Sequence, residues 1–505
     1  MSYYFISIGG SGARVLEAIT HLCAAGLLPN KEKRGYFYAM SIDPDTGNGN
    51  LTRTNRLLDC LNELQNVNIG KRTPLLKTPL KLAKPFVWSP TNLGNSLDDV
   101  ISYETYRNKT IGKLYRALYT KKERQTILNE GFRGRPSIGA AVMAKKAMID
   151  GNTAIVQEAA WQNLINAVRN DVRTNGSAQI FLAGSVFGGT GAAGLPTISR
   201  LLRDIFKNNC QNGEVRIGGA LLLPYFSFEP TEEQKKESGL FASSENFLTN
   251  TKAALRYYSE NGGSGYDSMY FIGDNTMTSI PNFSVGATSQ CNDAHIVDFF
   301  AAMAALHFYN SGDGKHCYYI SRNLDNTFQW NDIPDVQMND NTKVSVRERF
   351  VQFTRFIFAY LHIVKPVFSD LEAGRKKESN YPWYVDYLKN VKVSSKEVRY
   401  FEEYAERFVR WLNQFEHSSG ARSIEIINPE SFSINDNHVE INSELFQTLD
   451  YGNSKVSINE VITRLNSSKG SWIDIIFGGK KDTNQDFGQD FGLFLRRLYD
   501  SCATN

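Results

Sequence analysis

The amino-acid sequence predicts an α/β protein in which a Rossmann-like, mainly parallel sheet is followed by a buried central helix and a second α/β (α+β) region. Strand-like and helix-like segments alternate through the first 300 residues, which is typical of a parallel sheet flanked by helices. Several strand-like runs end in glycine-rich or acidic turns. The 505 residues, 41% hydrophobic and 22% charged, suffice for two or three domains. We expect divisions at residues 1–290, 291–310 and 311–505.

The first predicted strand, residues 3–8, is a β-rich run that ends in Gly9-Gly10-Ser11-Gly12. Apolar residues then recur at helical spacing from Val15 to Cys23. A second strand, residues 35–42, ends at Asp43. Residues 47 to about 130 are rich in Asn, Lys and Thr, and we interpret them as an insertion in the first domain.

A segment that opens with Asn292-Asp293 and runs through Phe308 is apolar nearly all round, so we expect a helix buried on every side between two domains. The other elements are predicted, in order, as a helix after the turn at 131–139, a helix at 154–172, a strand at 178–183, a helix after 191, a strand at 215–223, a helix from Ser243 or Ser244 to 258, a strand at 268–272, helices at 346–363 and 397–415, strands within 424–446, and a last helix at 491–499.

Composition excludes several classes of protein. Lys and Arg number 56 and Asp and Glu 53, so the net charge of +3 indicates neither nucleic-acid nor membrane binding. The most apolar windows are short of a membrane span, and the amino end lacks the features of a signal peptide. Six cysteines without a Cys-x-x-Cys pair indicate reduced thiols in a cytoplasmic protein. We predict no metal site made by protein ligands alone, and we interpret His295 and His307 as core histidines.

The turn Gly9-Gly10-Ser11-Gly12 lies between a strand and a helix, where backbone N–H groups and the positive end of the helix attract an anion. A dinucleotide-binding Rossmann loop competes with this interpretation. That fingerprint requires a third glycine where this chain has Val15. Asp43 fits either alternative, as a ribose-binding acid or as part of a phosphate-side loop.

A second glycine turn decides between them. Gly188-Gly189-Thr190-Gly191-Ala192-Ala193-Gly194 follows a buried strand and opens a helix. Glycines cost chain entropy, so this density indicates that the backbone closely approaches a ligand. No lysine follows the last glycine, so the turn is not a P-loop. Two such turns predict that phosphates are held by backbone amides and helix dipoles.

These segments, in this order over residues 1 to about 310, resemble the tubulin/FtsZ superfamily of GTPases, and more closely its divergent bacterial tubulin-like members. The signature of that family is a Gly-Gly-Gly-Thr-Gly loop, and here Phe187 replaces its first glycine. Gly134-Arg135-Pro136-Ser137-Ile138-Gly139 resembles the loop that senses the γ-phosphate. Residues 224–229 resemble the ribose-side loop, and Asn292-Asp293 resembles the start of the central helix.

The resemblance implies a GTP/GDP site with Mg²⁺. Glu229 is expected on the sugar, and the amide oxygen of Asn292 or the carboxylate of Asp293 can accept both the ring N–H and the amine of guanine. The implied nucleotide-binding residues are Gly9, Gly10, Ser11, Gly12, Ala13, Arg14, Asp43, Gly134, Arg135, Ser137, Gly139, Gly188, Gly189, Thr190, Gly191, Ala192, Glu229, Asn292 and Asp293.

The resemblance also implies GTP hydrolysis coupled to assembly of a head-to-tail homopolymer. The acidic loop of one subunit would then reach the nucleotide of the next and position the attacking water. Trp330-Asn331-Asp332-Ile333-Pro334-Asp335 is the nearest match to that loop, so Asp332 and Asp335 are the candidate catalytic residues. Asp313 lies in the expected place but has no second acid near it in sequence. A solvated acidic turn is the alternative for either segment.

Two other functions stay open at this stage. The first is a GTP- or GDP-sensing regulatory protein that does not polymerise, which the displaced acidic loop and the elaborate 47–130 region favour. The second is a Rossmann-type NAD-dependent enzyme, which leaves the turn at 188–194 unexplained. Operon or regulatory protein partners are also left open.

Overall fold

A computed structural model describes residues 2–28, 35–67, 73–147, 158–207, 214–228, 244–261, 265–274, 277–280, 286–311, 316–320, 328–329, 346–415, 424–425, 432–434, 439–441, 448–451, 454–466 and 490–503. Its strands through residue 320 are β1 (Tyr3–Ile8), β2 (Phe37–Ile42), β3 (Leu80–Lys81), β4 (Val87–Trp88), β5 (Ser177–Ser185), β6 (Glu214–Leu222), β7 (Phe226–Ser227), β8 (Ser268–Ile272), β9 (Thr278–Ser279) and β10 (His316–Ile320).

Eight of these strands form a single parallel sheet in the order β10-β8-β6-β5-β1-β2-β3, with β4 also paired to β2. In β1 every residue is buried, which is typical of a parallel strand covered on both faces. Alternate residues enter different cores: Tyr3 and Phe5 lie in one, and Tyr4, Ile6 and Ile8 in the other. The predicted α/β fold with a parallel sheet is confirmed.

Helices cover both faces of this sheet. They are α1 (Gly9–Ala24), α2 (Gly49–Asn66), α3 (Leu97–Ile101), α4 (Tyr103–Tyr106), α5 (Thr110–Leu118), α6 (Lys121–Gln125), α7 (Pro136–Ala147), α8 (Ala159–Asn175), α9 (Gly189–Lys207), α10 (Glu245–Glu260) and α11 (Ile296–Asn310). Residues of α7, α8 and α9 pack in the core that contains Tyr4, and residues of α1, α2 and α11 in the core that contains Phe5.

The segment interpreted as an insertion is partly built into the sheet. Helix α2 packs against α1, and both β3 and β4 extend the sheet at the edge of β2. Short helices α3 to α6 follow. This region therefore supports both ends of β2, with β3 paired at its amino end and β4 at its carboxyl end, and is more than an elaboration.

Helix α11 confirms the prediction of an all-round buried helix. Of its residues only His307 and Asn310 are not buried. It contacts β5, β6 and β8 of the sheet, and at its other side Phe299 packs against Trp411, with ring centroids 6.0 Å apart. The helix starts at Ile296, later than the predicted opening at Asn292-Asp293, because His295 caps it.

The described part of the chain beyond residue 345 is mainly helical. It contains α12 (Val346–Ala359), a π-helical turn (Tyr360–Val364), α13 (Lys365–Glu372), α14 (Pro382–Tyr387), α15 (Lys396–Asn413), α16 (Ile458–Asn466) and α17 (Phe491–Ser501). Short strands β11 (Phe328–Gln329), β12 (Ile424–Glu425), β13 (Phe432–Ile434), β14 (Val439–Ile441), β15 (Thr448–Tyr451) and β16 (Ser454–Ser457) form three two-stranded pairs. No helix among the described residues is both long and apolar enough to cross a bilayer.

Candidate functional site

A cleft of about 510 Å³ opens at the carboxyl ends of the central strands. Strands β1 and β5 are neighbours there. Helix α1 follows β1 directly, and α9 starts four residues after the end of β5, so both helices begin at the cleft. In open parallel sheets ligands bind at such strand ends, beside the helix N-termini. The position of this cleft therefore suits an anionic ligand.

The first glycine turn contributes backbone to the cleft. Gly9, Gly10, Ser11 and Arg14 line it. Gly9 has a φ of +74°, a left-handed conformation that L side chains rarely adopt, so this turn needs glycine. Two other predicted residues, Gly12 and Ala13, are buried outside the lining, where Gly12 lets helix α1 approach the sheet closely.

The second glycine turn lies against the first. Gly188, Gly189, Thr190 and Gly191 line the cleft, and α9 starts at Gly189. A Cβ built on Gly9 would lie 3.2 Å from the Cβ of Thr190, so the two turns are in contact. The structure thus brings these two predicted segments together, whereas Ala192 lies outside the lining.

A third turn, residues 131–134, closes the same side of the cleft. Gly131, Arg133 and Gly134 all have positive φ. A Cβ built on Gly189 would lie 3.1 Å from the Gly134 nitrogen, so this turn packs closely against the second glycine turn. Helix α7 starts directly afterwards at Pro136, a position where proline is favoured.

Of the four residues predicted in this third segment, only Gly134 lines the cleft. Ser137 is exposed on the surface of α7, and Arg135 is half-buried outside the lining. Gly139 lies in α7 against Phe132 and Ala193. The helix begins at Pro136, earlier than the sequence indicates, so Ser137 and Gly139 lie within the helix and outside the lining of the cleft.

Three carboxylates form the acidic side of the cleft: Asp43, Asp45 and Glu130. Burial raises the pKa of Asp43 to about 8, partly opposed by the hydrogen bond that it accepts from the Asp45 backbone N–H. Burial also raises the pKa of Asp45, whose carboxylate accepts hydrogen bonds from the backbone N–H groups of Ala287 and Gly47. Negative charge is therefore disfavoured here unless a cation shares the site.

The cations that line the described part of the cleft are Arg14 and Arg133, with no lysine. Arg133 donates a hydrogen bond of 2.8 Å to Glu130. Arg14 is 3% exposed, and its Nε donates to Asp298 over 2.9 Å.

A buried polar network joins α1 to the start of α11. Asp298 accepts hydrogen bonds from Arg14, from the Tyr225 hydroxyl at 2.8 Å and from the His295 backbone N–H at 2.9 Å. Arg14 also donates to the Tyr225 hydroxyl. His295 accepts from the Val297 N–H and lies 3.0 Å from Thr278 Oγ1 through its other ring nitrogen.

This capping network corrects the predicted start of the central helix at Asn292-Asp293. Both line the cleft, but they precede α11 and do not open it. Two hydrogen bonds hold Asn292 to Asn50. The backbone N–H of Asn292 donates to the side-chain oxygen of Asn50 over 2.8 Å, and the side-chain amide of Asn50 donates to the side-chain oxygen of Asn292 over 3.4 Å. The carboxylate in the first turn of the helix is that of Asp298.

A family profile described as tubulin-like matches residues 4–256. The match covers 253 of the 505 residues, which is half of the chain, and it includes all three turns that line the cleft.

The chain belongs to the tubulin-like family.

The resemblance predicted from the glycine turns is thereby confirmed. Among solved structures, the chain is similar to CetZ2 from Haloferax volcanii, described as a GTPγS-bound protofilament, with 12% identity and a TM-score of 0.26. That similarity covers 62% of this chain and 60% of the CetZ2 chain. No curated protein matches the sequence.

Four acidic residues singled out from the sequence of this tubulin-like protein lie outside the described residues. They are Glu229, Asp313, Asp332 and Asp335. Among the residues that are described, no group of three or more His, Cys, Asp or Glu side chains is arranged to hold a metal ion.

Sequence reasoning missed other residues of the tubulin-like cleft. Asn48, Asn50 and Glu130 line it from the segment interpreted as an insertion, and Asp45 lines it from just before that segment. The spacing of Asp45 from Asp43, two residues along a strand-end turn, was a usable signal. The roles of Asn48 and Glu130 depend on tertiary folding alone.

Proposed function

We propose that this tubulin-like protein binds GTP with Mg²⁺ in the cleft and hydrolyses it, coupled to head-to-tail assembly. The observation that carries the proposal is the convergence of three glycine turns, 9–12, 131–134 and 188–191, on one cleft. Unrelated connections have no reason to place so much bare backbone at one point. Backbone amides at two helix N-termini are a general solution for binding phosphate.

The charge in the cleft supports a ligand that arrives with a cation. Arg14 and Arg133 are already paired with Asp298 and Glu130, so they offset little of the charge of a triphosphate. Mg²⁺ is usually held by one or two carboxylates together with phosphate oxygens and water. Asp45 and Glu130 are the described side chains that fit this role, and a bound Mg²⁺ would neutralise phosphate charge.

Hydrolysis requires an acceptor that orients water at the γ-phosphate. We propose that Asp332 and Asp335 of a neighbouring subunit supply it. Residues 1–290 would then bind the nucleotide, the 291–310 segment would connect, and 311–505 would carry the acidic loop to the next subunit. Such heterologous contacts repeat without closing, which produces filaments.

The test is the rate of GTP hydrolysis per subunit as protein concentration rises, with sedimentation in GTP and in GDP. We expect the rate per subunit to increase with concentration and GTP to increase the sedimented fraction. An Asp332→Asn/Asp335→Asn variant should sediment with GTP but hydrolyse at least tenfold more slowly. Asp59→Asn, which changes an exposed carboxylate, is the matched control.

Different outcomes separate the alternatives. GTP binding without sedimentation or concentration dependence would favour a regulatory protein that does not polymerise. Thermal stabilisation by NAD and not by GTP would favour a Rossmann-type enzyme. Stabilisation by neither would contradict the proposal.

A further inference from the structure

Exposed apolar side chains are concentrated in one segment of the described chain. Nine large apolar side chains are exposed among the residues that the structure describes, and five of them lie between residues 93 and 127: Leu93, Ile111, Leu114, Leu118 and Ile127. Three of the five belong to helix α5. Single exposed apolar residues are ordinary, whereas a concentration of them indicates a contact surface.

The apolar residues of α5 form a stripe along the helix. Ile111, Leu114 and Leu118 follow one another at spacings of three and four residues, so their side chains leave the helix on one side. Each of the three is more than half exposed. Gly112 and Tyr115 of the same helix are buried. Helix α5 is thus held to the protein by one side and presents an apolar stripe on another.

The same segment is strongly basic. Residues 107–122 contain six cations and no Asp or Glu. All six cations are exposed: Arg107, Lys109, Lys113, Arg116, Lys121 and Lys122. The whole chain has 56 basic and 53 acidic residues, so acidic residues elsewhere offset this local excess and the net charge does not reveal it. We call the six cations and the apolar stripe together the basic apolar surface.

The stability of helix α6 does not explain its two lysines. Lys121 and Lys122 lie in the first turn of α6, at the positive end of the helix dipole, where a cation is unfavourable. The N-terminus of α6 is instead stabilised by a capping box of Thr120 and Glu123. Residues that break a local rule in this way are expected at functional surfaces.

An apolar stripe beside exposed cations complements an anionic lipid surface. Helices that lie in such an interface bury apolar side chains among the headgroups and are rich in Lys and Arg on their polar face. Each Lys or Arg close to an anionic leaflet adds to the attraction, so a cluster of roughly four to eight on an amphipathic helix is typical of lipid binding. The basic apolar surface has this composition.

Other partners complement the surface less well. Protein interfaces are depleted in lysine, and four of the six cations here are lysines. Nucleic-acid backbones are bound through cations and hydrogen-bond donors, which leaves the apolar stripe without a partner. A lipid bilayer supplies both an anionic layer and an apolar layer behind it, so it accounts for both halves of the surface.

We propose that the basic apolar surface docks the protein on anionic phospholipid bilayers. Ile111, Leu114 and Leu118 enter the headgroup layer, and the lysines lie at the lipid phosphates. None of the nine residues of this surface lines the nucleotide cleft. The proposal therefore does not depend on which ligand the cleft binds.

The test is flotation of the full chain with lipid vesicles in a density gradient, without nucleotide so that nucleotide-driven assembly does not contribute. One set of vesicles is phosphatidylcholine alone, and the other is phosphatidylcholine mixed with phosphatidylserine. We expect the chain to float only with the vesicles that contain phosphatidylserine. The floated fraction should fall as salt is raised from about 0.1 M to about 1 M, because salt screens exposed charges.

A charge variant replaces three lysines of the surface by glutamine: Lys113→Gln, Lys121→Gln and Lys122→Gln. Its affinity for the anionic vesicles should be about a hundredfold weaker. The arginines are left unchanged because they have structural partners, such as the Tyr103 hydroxyl for Arg116. The matched control removes the same charge from three exposed lysines of the C-terminal region and should bind as the wild type does: Lys389→Gln, Lys392→Gln and Lys396→Gln.

An apolar variant tests the stripe and leaves every charge in place: Ile111→Gln, Leu114→Gln and Leu118→Gln. Its affinity for the anionic vesicles should be about tenfold weaker or more, because the inserted apolar area is lost. Its thermal unfolding midpoint should match that of the wild type, since all three side chains are exposed. Leu248→Gln, at an exposed leucine of α10, is the control and should bind as the wild type does.

Several outcomes overturn the proposal. Equal flotation with both kinds of vesicle, or flotation with neither, contradicts docking on anionic lipid. A loss in the C-terminal lysine control as large as in the charge variant would show that only the total charge matters. Binding of duplex DNA that the charge variant loses and the apolar variant keeps, without flotation, would assign the surface to nucleic acid. Self-association without nucleotide that the apolar variant abolishes, again without flotation, would assign it to a second copy of the chain.

Discussion

Arg14 carries its charge inside the protein, where its Nε lies 2.9 Å from the carboxylate of Asp298. Both side chains are buried, so removal of one leaves the other charged without an ionic partner. We predict that Asp298→Ala lowers the free energy of unfolding by about 3–5 kcal/mol. A double variant, Arg14→Met with Asp298→Leu, should recover part of that loss, because two apolar side chains need no ionic partner, whereas the Tyr225 hydroxyl and the His295 N–H still lose their acceptor. Chemical denaturation of the three proteins measures both effects.

The control for this prediction is an ion pair in water. Glu260 pairs with Arg256 on the surface of α10, with both side chains more than half exposed. Glu260→Ala should change the free energy of unfolding by less than about 0.5 kcal/mol. If Asp298→Ala lowered the free energy of unfolding as little as Glu260→Ala does, Arg14 would have to reach solvent in the variant.

At the scale of elements, two glycines of helix α1 have different functions. A Cβ on Gly12 would lie 2.5 Å from the Ala183 carbonyl oxygen, in the strand that pairs with β1. We predict that Gly12→Ala forces α1 off the sheet and lowers the free energy of unfolding by about 1–3 kcal/mol. Chemical denaturation without nucleotide measures this loss.

Gly10 is the matched comparison two residues earlier in the same helix. A Cβ there meets only the side-chain amides of Asn50 and Asn48, at 3.4 Å and 3.5 Å, in the lining of the cleft. Gly10→Ala should leave the free energy of unfolding unchanged or slightly higher, since alanine favours a helix. Its added methyl group should weaken Mg²⁺–tripolyphosphate binding about tenfold or more, because it occupies the proposed phosphate position. Loss of stability without loss of affinity in Gly10→Ala would contradict this assignment.

At the scale of the whole molecule, α1 connects the sheet to the C-terminal helices through His21. This side chain is buried, and its ring stacks on Trp411 of α15 with centroids 4.5 Å apart. Burial, with Arg407 and Arg53 nearby, lowers the pKa of His21 well below its usual value of 6.5. Below pH 6.5 His21 is therefore protonated in the unfolded chain and neutral in the folded chain. The free energy of unfolding consequently decreases as the pH falls through 6.5.

We predict that His21→Leu removes this loss. The difference in unfolding free energy between variant and wild type should grow by about 2 kcal/mol in favour of the variant from pH 7 to pH 5. Denaturant midpoints at several pH values measure it. His316→Gln, a change at an exposed histidine, is the control. A difference that stays constant with pH would show that His21 takes up its proton in the folded state.

Sequence alone determined the elements whose signals are local. The buried runs at β1, β5 and β8, the apolar helix α11 and the glycine turns at 9–12 and 188–191 depend on side-chain periodicity and backbone conformation within a few residues. The family followed from the order of those turns. The placement of Gly9, Gly10, Gly188 and Thr190 in one cleft followed from parallel strands that end at the same edge of a sheet.

Only the tertiary structure decided which side chains share the cleft and which are used elsewhere. Gly12 and Gly139 look like ligand-binding glycines in sequence, yet close packing against Ala183 and Phe132 explains them. The capping of α11 by His295 and Asp298 and the pairing of Asp298 with Arg14 join residues 284 positions apart. Contacts over such separations depend on the packing of whole elements, which no local pattern of residues contains.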